Sequence, residues 1–302
     1  MAGAIATRLC ADIGGTSIDL AVVGTGAVIR HRWSVPTPRD WPGFVAAFAQ
    51  GLAAHPCADV AIATAGLVDP ADGTITAANV PAIHRRPLAR DLSAALGVPV
   101  RAINDADAFV LAEATAGVAR GHARVFGIIL GTGVGGGLVQ DGRIVSGSGG
   151  IGGEWGHGAV LHPAPGHPDV VPVFPCGCGL AGCLDTIGGA RGIERLHRFL
   201  HRIDATSLAI TAGANAGDGV ALATVDTWAM LLGGPLAMLL NTIAATIVPV
   251  GGGLSRAPAL IARLDTAVRA NMLRPATTPI VVPGALGTDA GIIGAYAAGM
   301  VA

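Results

Sequence analysis

Twice in this chain an apolar strand runs into a glycine turn and returns as a second apolar strand. No other feature restricts the fold as much. The first copy is TRLCADIGGTSIDLAVVGTGAVI, with one turn at Asp12-Ile13-Gly14-Gly15-Thr16 and another near Gly24–Gly26. The second, RVFGIILGTGVGGGLVQDGRIVSG, repeats strand, glycine turn and strand, then adds an Asp141-Gly142 turn and a further strand. Asp-Gly between apolar runs favours a tight hairpin, because such turns need positive φ at their centre. After the first copy, DVAIATAG reads as a strand, PLARDLSAALG as a helix, PVRAIND as a strand and ADAFVLAEATAG as a helix. After the second come a helical tract from about 190 to 245, the strand TIVPVGGGLS, a helix, the strand PIVVPGALG and an apolar helix from about Asp289. Two halves that open alike and continue as alternating strands and helices predict an α/β chain of two duplicated domains with a cleft between them. GVARGHAR breaks the pattern near 117–123. The expected boundaries are therefore 1–118 and 119–288, with the closing helix, 289–302, completing the first domain.

Composition narrows the chemistry. With 302 residues, 51% hydrophobic and 13% charged, the chain can bury a full core without covalent staples. A net charge of −1 leaves no basic patch for nucleic acid. There is no lysine; all 19 basic residues are arginine, which excludes a lysine-bearing P-loop and Schiff-base chemistry. Glutamate occurs only at Glu113, Glu154 and Glu194. The opening MAGAIATRLCADIGG lacks a cationic stretch ahead of a long apolar core, so no signal peptide is expected. Residues 227–255 carry no formal charge, but Gly233-Gly234-Pro235 and Pro249 cut the stretch and Asn241 lies inside it. It reads as a buried helix followed by a buried strand, with no membrane span, in a cytoplasmic protein.

PCGCGLAGCLD packs Cys176, Cys178 and Cys183 into eight positions. A reducing compartment and an odd total of five cysteines disfavour a disulfide framework, and no C-x-x-C redox pair is present. Glycine lets the backbone wrap a small ion, so the cluster suits tetrahedral zinc. The fourth ligand stays open among His157, His162, His167 and Asp185.

Three glycine turns need a purpose. In ADIGGTS the N–H groups of Gly14, Gly15 and Thr16 can converge on a phosphate, and Asp12 at the strand end is placed to hold Mg²⁺ through water. Gly131-Thr132-Gly133-Val134-Gly135-Gly136 matches G-x-G-x-x-G, yet that fingerprint should open a helix and this stretch continues as a strand. A phosphate-facing hairpin is the better reading. Gly251-Gly252-Gly253 follows an apolar strand and can lie against a base or ribose. In AINDADAFVLAEA, Asp105 ends a strand and opens a helix, where a side chain reaches the carboxyl edge of a sheet. Asp105 or Asp107 can equally serve as the helix N-cap. Beside two phosphate-shaped turns, a carboxylate that orients a hydroxyl for phosphoryl transfer is the leading reading.

ADIGGTS, INDADAFVLAEA, LGTGVGGGL, GEWGHG, CGCGLAGCLD and VGGGLS together resemble, in order and spacing over essentially the whole chain, the ROK sugar kinases of the actin-like ATPase superfamily. The stretches VPTPRD, DGTITAANVPA, PLARDLSAAL and GGGLSRAPAL carry a nearer likeness to the N-acetylglucosamine-phosphorylating branch. The resemblance implies two actin-like (ribonuclease H-like) domains and ATP-dependent phosphorylation of the sugar 6-hydroxyl. It implies Asp105 as general base, and Gly66, Asn79, Asn104, Glu154, His157 and Asp185 at the sugar. Asp12, Gly14, Gly15, Thr16 and Gly131 to Gly136 become the phosphate loops for ATP with Mg²⁺, with Gly252 and Gly253 near adenosine. It also implies His157 as the fourth ligand, with Cys176, Cys178 and Cys183, of a structural zinc, and a homodimer as the assembly. The chain departs from the family at Asp185, where glutamate is usual, at Ala65, where proline is common, and at Ser17, where lysine is frequent. Trp155 also occurs in fructokinase-like relatives, so glucose, fructose and N-acetylmannosamine stand as alternative substrates.

Overall fold

The computed structural model describes residues 7–77, 79–162, 171–274 and 276–300. The chain forms two compact units, one of residues 1–120, 142–152 and 286–302, the other of 121–141 and 153–285.

The first unit is built on a five-stranded sheet ordered Val28–Pro36, Ser17–Gly24, Arg8–Ile13, Asp59–Thr64 and Val100–Asn104. The first three strands run antiparallel, and the last two continue parallel to Arg8–Ile13. Register aligns the strand ends: Ile13 pairs with Thr64 and Thr64 with Asn104, so Asp12, Thr64 and Asn104 finish at one carboxyl edge. Helix Trp41–Ala54 starts where Asp40 accepts the Gly43 N–H at 2.8 Å, and Pro42 suits its first turn. Phe44 and Phe48, one turn apart, are fully buried with Leu9 and Ile62. Each contributes about 2–3 kcal/mol by leaving water. Helix Leu88–Leu96 stops at Gly97, whose φ of +70° is the left-handed conformation a helix end favours. A small sheet of Leu67–Val68, Thr74–Thr76 and Arg86–Pro87, absent from the sequence reading, is folded by side-chain turns: Asp69 accepts from Ala71 N and Asp72 from Thr74 N.

The last helix, Ala290–Ala298, belongs to this unit and packs on Asp105–Thr115. A Cβ at Gly294 would lie 1.9 Å from the Ala108 carbonyl oxygen, so only glycine permits this approach. Small residues fill the contact: Cys10, Ala61, Ala63, Ala108 and Ala295 surround Ile292.

The second unit repeats the theme. Arg124–Leu130 and Val134–Gln140 pair antiparallel, and Val248–Gly251 then Val281–Pro283 add parallel strands beside Arg124–Leu130. Asp141 and Gly142 take φ of 50° and 75°, the tight hairpin expected of Asp-Gly. The helical tract resolves into Ala190–His201, Ser207–Asn215 and Gly219–Ile243, the latter two capped by Thr206 and Asp218.

One expectation is corrected here. Gly233-Gly234-Pro235 does not interrupt the apolar stretch: helix Gly219–Ile243 runs through Pro235. Proline there lacks only the N–H that would reach Leu231, and packing holds the rest. This helix of 25 residues is long and apolar enough to cross a membrane, but Trp228, Leu232, Leu236 and Leu240 are at most 1% exposed in the core.

Candidate active site

In the first unit the candidate residues gather at the carboxyl edge set by register. Asn104 is the N-cap of Asp105–Thr115: its Oδ1 accepts from Ala106 N at 2.8 Å and Asp107 N at 3.2 Å. Neither Asp105 nor Asp107 is that cap, which corrects the alternative the sequence left open. The Asn104 amide also donates to the Gly66 carbonyl at 2.8 Å. Gly66 has φ of +107°, and a Cβ there would come within 2.5 Å of the Thr76 carbonyl oxygen, so the position requires glycine. Asp105 follows the cap in the first helical turn, half-buried.

Asp12 neighbours it electrostatically. Burial, then the charge of Asp105, then that of Asp19, push the Asp12 carboxyl from 3.8 up to about 6, opposed by Arg32. Helix Ala290–Ala298 touches the same carboxylate: a Cβ on Gly291 would sit 2.1 Å from Asp12 Oδ2. The turn beyond Asp12 closes by Gly14 N–H to the Ser17 carbonyl at 2.9 Å, and Thr37 Oγ1 donates to the Gly14 carbonyl at 2.7 Å. Gly15 and Thr16 are exposed. Ser17 is exposed as well, so the missing lysine leaves no buried gap. A Cβ on Gly15 would approach the Asn79 carbonyl oxygen to 3.1 Å, which brings the exposed Asn79 beside the turn. The reading missed Thr37 and Gly291; VPTPRD and TDAGIIG carry them, but nothing local in those stretches signals a contact with a distant turn.

In the second unit the Gly131–Gly136 turn is buttressed on several sides. Gly252, with φ of +81°, leaves no room for a Cβ, which would lie 2.5 Å from the Leu130 carbonyl oxygen. Ala190 N–H donates to the Gly131 carbonyl at 2.7 Å, and Val134 N–H donates to Asp185 Oδ1 at 2.8 Å. The Trp155 indole N–H donates to the Gly135 carbonyl at 2.9 Å, so the hairpin uses this side chain as a prop. Gly253 opens a short 3₁₀ turn to Arg256. A polar cavity of about 320 Å³ adjoins the turn, lined by Thr132, Gly133, Asp185, Thr186, Arg191 and Arg195. Both arginines escaped the sequence reading. Their signal was available: cations in the first half of a helix oppose its dipole and need another reason to be there.

The thiol cluster lies in the same unit. One ligand atom from each of His157, Cys176, Cys178 and Cys183 fits within 4.8 Å of every other. Cys176 Sγ is 3.6 Å from His157 Nδ1, and Cys178 Sγ is 3.6 Å from Cys183 Sγ. The other imidazole nitrogen, Nε2, faces Glu154 Oε2 at 3.7 Å. Carboxylate, imidazole and thiols therefore form a line in which Glu154 can orient the histidine. Burial raises the Glu154 carboxyl, His157 opposes that rise and Asp185 adds to it. The Leu180 N–H draws the exposed Cys178 thiol down to about 7, within reach of the thiolate a metal needs. His162 is exposed and outside the cluster, and His167 lies outside the described residues. Asp185 contributes no ligand atom to it.

Comparison with known proteins gives the chain its family. The ROK family profile matches residues 8–299. An N-acetylgalactosamine kinase of Shewanella sp. strain ANA-3 is 37% identical over 291 residues, covering 94% of each chain. An N-acetyl-D-glucosamine kinase of Shigella boydii serotype 4 is 36% identical over 291 residues, covering 94% of this chain and 96% of its own. Among solved structures, the ROK hexokinase from Thermus thermophilus superposes with a TM-score of 0.82 at 31% identity, covering 96% of both chains.

Proposed function

The chain belongs to the ROK family of sugar kinases, and from that premise we propose that it transfers the terminal phosphoryl group of ATP to the 6-hydroxyl of N-acetyl-D-glucosamine. The observation that carries the chemistry is the paired carboxylate edge. Asn104 caps the helix, and Asp105 stands in its first turn at the carboxyl edge, where its Oδ1 accepts the Ala106 N–H at 2.9 Å and its charge raises the Asp12 carboxyl.

Each residue then has a task. Asp105 accepts the proton of the 6-hydroxyl as the oxygen bonds to phosphorus. In the two glycine turns the Gly15, Thr16, Thr132 and Gly133 N–H groups are the candidates for the phosphates, because those of Gly14, Gly131 and Val134 are already bonded to Ser17, Gly133 and Asp185. Asp12 is the residue that would hold Mg²⁺ through water, and the ion neutralises phosphate charge when bound. Gly66, Asn79, Asn104, Glu154 and His157 are the candidates for the sugar, with Gly252 and Gly253 toward adenosine. Asn104 already uses both ends of its amide within the protein and has one N–H left for a hydroxyl.

Three thiols and an imidazole within 4.8 Å match the ligand set and closed coordination of a structural zinc. Bound there, zinc would tie the 176–183 loop to His157 and so fix Glu154 three residues before it.

N-acetyl-D-glucosamine is favoured by the stretches DGTITAANVPA and PLARDLSAAL and by a relative of that name. N-acetyl-D-galactosamine is the competitor, because a relative of similar identity carries that name. The test is an ADP-release assay with MgATP and N-acetylglucosamine, N-acetylgalactosamine, N-acetylmannosamine, glucose or fructose, beside Asp105→Ala. The expected result is the highest kcat/KM with N-acetylglucosamine and a fall of about 10²–10⁴-fold in kcat for the variant. A preference for another sugar moves the specificity; turnover undiminished in Asp105→Ala removes the base.

A further inference from the structure

We propose that Asp185 is a positioning residue for the phosphoryl donor, holding the Thr132-Gly133-Val134 turn through the Val134 N–H in the shape that receives the donor's phosphates. The inference rests on the kinase reading and reassigns a residue that the family resemblance gives to the sugar.

Three observations carry it. Asp185 Oδ1 accepts the Val134 N–H at 2.8 Å, and the carboxylate lies so flat on the turn that a Cβ added to Gly133 would be 2.3 Å from the same oxygen. Its backbone is fixed as well: Asp185 N–H donates to the Gly156 carbonyl at 2.9 Å, and five residues later Ala190 N–H donates to the Gly131 carbonyl at 2.7 Å. One short stretch, 185–190, thus grips both ends of the turn. Aspartate, a methylene shorter than the family's usual glutamate, keeps its carboxylate close to its own backbone and therefore close to the turn. The third observation identifies the ligand class. Beyond the turn lies the cavity of about 320 Å³ faced by Arg191 and Arg195, four residues apart on one helix face. Arg195 is already oriented by its bond to the Thr186 carbonyl at 2.8 Å and by the Phe174 ring beneath it. The two guanidinium charges outweigh that of the single carboxylate in the lining, Asp185, so the cavity beside the glycine turn suits a chain of phosphates.

A hydrogen bond depends on the acceptor oxygen, whereas a sugar ligand's role would depend on the sugar. Binding of MgADP by calorimetry, with sugar KM at saturating ATP, separates the two for the wild type, Asp185→Ala and Asp185→Asn. Asparagine keeps an oxygen for Val134 N–H. The expected result is MgADP affinity weakened about 10-fold in Asp185→Ala, restored to within about threefold in Asp185→Asn, with sugar KM moved less than about threefold in either. Unchanged MgADP affinity in Asp185→Ala overturns the proposal. So does a rise confined to sugar KM, which would return Asp185 to the sugar. A folding defect is read separately from thermal melts, and the Asn variant keeps the test open if Ala fails to fold. If the wild type binds no MgADP and turns over no sugar, the kinase reading itself has failed.

Discussion

Asp12 shows how much one side chain depends on its surroundings. It sits at the end of an ordinary strand, but burial and the Asp105 charge push its carboxyl up to about 6. The folded chain therefore holds this proton more tightly than the unfolded chain. The stability that this group contributes is fully present below the ordinary 3.8 and is lost as pH rises through about 6. In the metal-free protein, ¹³C-detected titration should place the Asp12 midpoint near 6, and Asp105→Asn should lower it by removing a like charge. A midpoint unmoved by that substitution would show that the two carboxylates do not sense each other. Residue-level roles were the least legible part of the chain. INDAD offers Asp105 or Asp107 as the cap to a sequence reading, and only the helix geometry selects Asn104. Asp185 reads as a substitute for glutamate because it ends Gly182-Cys183-Leu184-Asp185, where the family resemblance expects that residue. Its partner, Val134, is 51 residues away, a distance that local pattern cannot span.

At the scale of elements the reading was much better, for a physical reason. Hairpins announce themselves locally: the Asp141-Gly142 turn and the glycine turns after Ile13 and Leu130 need particular backbone angles or close approach, and few residues supply them. Helix interiors are governed by packing instead, so Pro235 looked like a break and proved to be inside a continuous helix. The three-stranded sheet 67–87 was missed because its strands are two or three residues long, too short to show a period. The junction between Val100–Asn104 and Asp105–Thr115 deserves its own test. Asn104→Ala removes two cap bonds and the bond to Gly66, so urea unfolding should show a loss of about 2 kcal/mol. Asn104→Asp keeps the cap oxygen and should recover roughly half of that. Equal losses in both variants would mean that the cap contributes little.

Over the whole molecule, duplication was legible because both halves begin with the same strand–turn–strand theme and extend it with parallel strands. The thiol cluster ties distant parts of the second unit together, since His157 and Cys176 lie 19 residues apart. The purified protein should carry about one zinc per chain by plasma mass spectrometry, and a strong chelator should lower its Tm. Cys183→Ser should lose the metal too, because Cys183 is the buried thiol of the cluster. Metal-free protein whose Tm ignores the chelator would remove zinc from the fold.

The placement of helix Ala290–Ala298 has a consequence for synthesis. On the ribosome, residues 8–120 emerge ahead of residues 121–285, which contain the whole of the second unit, and both precede this helix. Until it arrives, Cys10, Ala61, Ala63 and Ala108 have no Ile292 to cover them, and Asp12 lacks the Gly291 backbone against its carboxylate. The nascent chain thus carries the Asp12–Thr16 and Gly131–Gly136 turns well before Asp12 has its final environment. A chain cut short of residue 290 leaves the first unit unfinished and should be more readily cleaved by proteases.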